Sequence, residues 1–173
     1  EPSLPERRTA PEPPPEGTIL SWWVSDLLAE RSLDGRTGLG AEELAGRTWS
    51  RLRTEPSGLA NLARVQGISL RKNTAFAKAV LVSDREQVKR LDFGFSDRVR
   101  VYLNGRLLFH GNDTARSRDY RFLGSIGYFD ALYLPLAQGE NELLLAVSED
   151  LGGWGVQARL EDLSGITLRA PRE

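Results

Sequence analysis

From residue 91 to residue 111 the chain reads LDFGFSDRVRVYLNGRLLFHG, and apolar and polar side chains alternate through most of it. Leu91, Phe93 and Phe95 alternate with Asp92, Gly94 and Ser96. Beyond Asp97, Val99, Val101 and Leu103 alternate with Arg98, Arg100 and Tyr102. A period of two buries one face of a strand and leaves the other wet. Asn104 and Gly105 then interrupt the run, and both residue types accept the positive φ that a type I′ turn needs at its two central positions. Residues 99–110 are therefore predicted to form a tight hairpin, with Val99, Val101, Leu107 and Phe109 facing inward.

The same reading extends along the chain. Residues 18–24 (TILSWWV) open the folded part as a strand; the adjacent Trp22 and Trp23 must point to opposite faces, one into the core. Residues 41–45 (AEELA) suit one helical turn ended by Gly46. Residues 48–54 alternate imperfectly as a strand, and residues 59–65 read as mostly irregular. Residues 74–82 (TAFAKAVLV) form a strand, buried on both faces near Val80 to Val82. Further strands are expected at 88–95, 120–123, 128–134, 142–148, 154–161 and 166–168. Ten or so short strands separated by frequent turns make the fold all-β, an antiparallel two-sheet sandwich.

Two motifs sharpen this. RVRVYLNGR at residues 98–106 resembles the V-x-V-x-x-N-G hairpin of galactose-binding-like jelly rolls, among them the sugar-binding domain of family 2 glycoside hydrolases. Gly139, Glu140, Asn141, Glu142 and Leu143, followed by Leu145 and Val147, resemble the G-E-N-x-L turn that enters a core strand in the same group. The resemblance implies a jelly-roll fold and carbohydrate recognition, on a fold that serves many tasks.

Length sets one domain: 173 residues bury roughly 68–70% of their extended surface. Residues 1–17, EPSLPERRTAPEPPPEG, are Pro-rich and charged and offer nothing to bury, so the domain is expected over 18–173 with the first 17 residues as an extended tether. Such a tether suits a protein exported and held to a membrane or a larger protein, and that is the expected location. No run approaches the ~18 apolar residues of a membrane span. The 23 Lys and Arg nearly balance the 24 Asp and Glu, so no global field draws nucleic acid.

Catalytic chemistry has little to work with. There is no cysteine and one histidine, His110, at the end of a strand; Ser125 has no base beside it in sequence. Glu149 and Asp150 are adjacent, whereas glycosidase carboxyls must flank a sugar ~5–10 Å apart. The chain is read as a non-enzyme. No cofactor is expected, apart from a structural calcium for which Asn112, Asp113, Glu149 and Asp150 are the candidate donors. A sugar site needs aromatic faces for ring C–H surfaces and planar polar groups for hydroxyls. Trp154, Tyr128 and Tyr120 lie in or beside loops that also carry Arg118, Asp119 and Glu149, and these six are the candidate ligand residues, with the loops 111–127 and 149–155 converging at one end; the other reading is that Trp154 and Tyr128 plug the end of the sandwich as core. The expected partner is therefore carbohydrate; the alternative is a larger protein assembly, docked through the sandwich and its N-terminal arm.

Overall fold

The computed structural model describes residues 12–65, 67–69, 71–114, 126–150 and 152–169. Among them the chain forms β1 (Ser21–Ser25), α1 (Ala41–Ala45), β2 (Trp49–Arg53), β3 (Ala60–Asn61) and β4 (Thr74–Ser83). It continues through β5 (Gln87–Ser96), β6 (Arg98–Leu103), β7 (Arg106–Asn112) and β8 (Asp130–Leu136). The last strands are β9 (Gly139–Ser148), β10 (Gly155–Leu160) and β11 (Ile166–Arg169). The strand expected at 120–123 lies outside the described residues. No described helix is long and apolar enough to cross a membrane.

The strands form two antiparallel sheets, the two-sheet sandwich predicted, consistent with a galactose-binding-like jelly roll. The larger sheet runs β2-β1-β4-β9-β6-β7, with β11 also on β4; the smaller runs β3-β10-β5-β8. Between them Trp22, Val99, Val101, Leu143, Leu145 and Val147 meet Leu91, Phe93, Phe95, Leu134, Val156 and Leu160 in the main core. The outer face of the larger sheet carries a second cluster, in which Phe76, Tyr102, Leu144 and Ala146 are covered by Leu28, Leu33 and Leu39. That cover explains why the central strands are apolar on both faces. In β4 the doubly buried stretch is Thr74 to Ala77, beneath this cover, and not Val80 to Val82, where Val80 and Val82 are half-exposed.

The hairpin turns at Asn104 and Gly105, both at positive φ (50° and 80°). Val99, Val101 and Phe109 face the core as expected, but Leu107 does not. A bulge between Val101 and Tyr102 pairs Tyr102 with Leu107 directly after Val101 with Phe109. The extra residue flips the remaining side chains, so Leu107 packs on the outer cluster and Leu108 against the main core.

The two motifs that carry the resemblance touch each other. Asn104 donates its amide to Asn141 Oδ1 at 2.9 Å and accepts at Oδ1 from the Glu142 backbone N–H at 2.9 Å. Asn141 is fully buried, donates to the Ala137 carbonyl at 2.8 Å and accepts from the Ala137 N–H at 2.9 Å. One asparagine thus closes the β8–β9 turn and fastens it to the hairpin tip.

The folded contacts begin a little before residue 18. Residues 12–17 contain no strand or helix, but the Gly17 carbonyl accepts from Leu160 N–H at 3.0 Å and Pro15 accepts from Thr18 Oγ1 at 2.5 Å. Gly17 sits at φ 83°, where a side chain would run into the Leu160 carbonyl.

Candidate functional site

The outer face of the smaller sheet is where aromatic and charged groups gather. Period-two alternation on β5 turns Leu91, Phe93 and Phe95 inward and leaves Val88, Arg90, Asp92 and Gly94 outward. Register then places Pro135, Tyr133 and Ala131 of β8 opposite the first three of these, and Arg159 and Gln157 of β10 opposite Asp92 and Gly94. Asp92 is the hub. It is 6% exposed and takes Arg90 Nε at 2.9 Å and Arg159 Nη2 at 3.3 Å. A carboxylate held this far from water needs such partners, and their hydrogen bond and charge in turn raise the Arg90 guanidinium above its usual value.

Tyr128 reaches this face because the chain at Gly127 crosses directly over Gly94. Any side chain at Gly94 would collide with the Gly127 carbonyl. The Tyr128 ring lies 5.1 Å from the Arg159 guanidinium carbon, and its hydroxyl is 3.2 Å from Thr18 Oγ1. Gln157 is anchored to the Ser57 carbonyl at 2.8 Å. On β8, Tyr133 is 65% exposed, and Val88 opposite Pro135 is 62% exposed. Strand spacing sets Tyr133 and the Arg159–Tyr128 stack roughly 12 Å apart. The face thus offers the open Tyr133 ring, the propped Tyr128 ring and a fixed guanidinium–carboxylate cluster between them.

Trp154, expected as the platform, is a core residue. It precedes β10 on the same parity as Val156, Ala158 and Leu160, so its ring turns inward, 4% exposed, and its indole N–H donates to the Val147 carbonyl at 3.1 Å. No face is left for a ligand.

Glu149 is also buried, at 3%. It follows β9 on the inward parity of Leu145 and Val147, at the end of the sandwich, beside Asp97. Among the described residues neither carboxylate oxygen accepts a hydrogen bond, and burial, followed by the charges of Asp97 and Asp150, pushes its pKa up to about 7. The starts of the two loops expected to converge do meet here: Asp113 N–H donates to the Asp97 carbonyl at 2.7 Å, and Asp150 N–H to Asp97 Oδ2 at 2.9 Å.

Alongside, Arg98 bridges Glu30 (Nη2–Oε2 2.7 Å) and Asp150 (Nη1–Oδ2 2.5 Å). These bonds hold both carboxyls below, and Arg98 well above, their ordinary values. Asp150 is thus committed to Arg98, and among the described residues no group of three or more His, Asp or Glu side chains is arranged to hold a metal ion.

Arg118, Asp119 and Tyr120 lie outside the described residues. Of the six expected ligand residues, Tyr128 alone is described at an accessible surface. Tyr133 and the Asp92 hub were missed, although the signal was present: Leu132, Leu134 and Leu136 define an inward face, which leaves Tyr133 outward.

No family model matches the chain, and no curated protein matches it. Solved structures overlap it partially. A family 35 carbohydrate-binding module from an environmental isolate is 18% identical, covering 58% of this chain and 74% of that one at a TM-score of 0.43. A β-glucosidase from Kluyveromyces marxianus is 10% identical and covers 87% of this chain at a TM-score of 0.47; the match spans 17% of the enzyme. The PA14 domain of the MpAFP antifreeze protein is 10% identical and covers 94% of this chain and 93% of that one at a TM-score of 0.40. Overlaps this loose carry neither ligand nor activity to this chain.

Proposed function

We propose that the chain is a non-catalytic carbohydrate-binding module that reads glycan on the outer face of its smaller sheet. The observation that carries the reading is the exposed Tyr133 ring beside the Asp92 hub, with Tyr128 on the same face. Rings take up sugar C–H surfaces, and guanidinium and carboxylate groups fixed by their own ion pairs bond hydroxyls without paying to be ordered. The ~12 Å between the rings suits a short oligosaccharide better than a single pyranose.

A glycan array followed by calorimetry on the best hit tests this. Tyr133→Ala is expected to weaken binding about tenfold, near 1.4 kcal/mol, without lowering the melting temperature, because the ring is exposed. If the wild type captures no glycan, or Tyr133→Ala binds as the wild type does, the reading is wrong. One observation favours a protein partner instead: Tyr133 and Pro135 of the edge strand β8, with Val88 of β5 opposite Pro135, form an exposed apolar strip. A stoichiometric complex lost in Val88→Glu would select that reading. In either case the Pro-rich residues at the N-terminus are read as the tether of an exported protein, checked by fractionating cells that express the full-length gene product.

A further inference from the structure

One edge of β4 is shared by two strands. β1 pairs with it at Ala77 and Lys78, and β11 from Val80 to Ser83. The strands do not close completely against each other, and a cavity of about 300 Å³ opens where they leave off. Its floor is aliphatic: Ile19 and Ala79, 3% and 6% exposed, and the half-buried Leu168. Its rim is cationic. Arg51 and Arg53 project from β2 on the outer face, and Arg169 closes the β11 side. Arg169 is ion-paired with Glu140, whereas Arg53 has no ion-pair partner among the described residues. Among the described residues no acidic side chain lines the cavity.

We propose that this cavity binds a small carboxylate with a short apolar body, separate from the face assigned to glycan. Three observations select that class. The volume is at the small end of ligand sites, so a long acyl chain does not fit. The floor rewards burial of a few methylenes, about 0.8 kcal/mol each. The planar guanidinium of Arg53 matches a carboxylate with two parallel hydrogen bonds, and the rim repels cations.

Calorimetry of the full chain with octanoate, and with octanol and octylammonium as neutral and cationic probes of equal length, tests the assignment. Saturable binding of one octanoate is expected, with octanol at least tenfold weaker and octylammonium unbound. Arg53→Gln is expected to weaken octanoate about tenfold and leave octanol unchanged. Val80→Phe, which fills the cavity from β4, is expected to abolish both. Should Val80→Phe fold poorly, the exposed Arg53→Gln still decides the matter. Octanoate that does not saturate, octanol that binds as well as octanoate, or an Arg53→Gln variant indistinguishable from the wild type would each overturn the proposal. Tyr133→Ala is expected to leave octanoate binding intact, so failure here and failure of the glycan reading are told apart.

Discussion

The Glu149 carboxyl, desolvated and flanked by Asp97 and Asp150, titrates near 7 in the fold against an ordinary 4.5. Folding therefore favours its proton. That contribution is complete below about pH 4.5 and is lost as pH rises through about 7, on the order of 3 kcal/mol over the window. Glu30 and Asp150 act in the opposite sense. Arg98 holds their pKa values low, so their stabilisation is present above the ordinary carboxylate range and disappears only in more acidic solution. The windows do not overlap. The melting temperature of Glu149→Gln is expected to lack the wild type's loss between pH 5 and pH 8 and to exceed the wild type at pH 8; His110, whose burial lowers its pKa, contributes equally to both proteins. Parallel melting curves for the two proteins would refute the assignment.

At the scale of elements, the crossing of Gly127 over Gly94 is the contact that delivers Tyr128 to the smaller sheet. Gly94→Ala is expected to push that crossing off the sheet while β5 itself persists. Its readout is loss of glycan binding comparable to that of Tyr128→Ala, with a modest drop in melting temperature; unchanged binding would place the ligand elsewhere. The crossing also marks where sequence reading stopped. Strands β5, β6, β9 and β10 were legible because alternation and an Asn-Gly turn are local signals. The bulge that turned Leu107 outward was not, since it depends on how β7 meets β6 and leaves no mark in β7 alone. Trp154 could be a ligand residue or a core plug from its loop surroundings alone, and its parity with Val156 places it inside. Asp92 went unnoticed because its significance lies in Arg159, a residue 67 positions later that only sheet pairing brings beside it.

Across the whole molecule the two sheets are finished differently. The larger carries the main core on one face and, over the centre of the other, a cover from residues 28–39, while the smaller exposes Val88 and Tyr133 on its outer face. On the proposed function, the exposed Tyr133 and Val88 can therefore be substituted without disturbing the core. The shared edge of β4 has a separate consequence. Both β1 and β11 run antiparallel to β4, so they run in the same direction, and Arg169 stands at Val80, two register positions from where Trp23 meets Lys78. The end of β11 therefore points at Trp23 within β1, about 7 Å on. Topologically the domain is nearly a ring. A circular permutant that joins Arg169 to Pro15 through a short glycine-serine linker, and starts instead in the exposed turn at Arg85, is expected to fold with a melting temperature within a few degrees of the parent. The same geometry would let the domain be inserted into a surface loop of a host protein, leaving and rejoining the host at nearly one point.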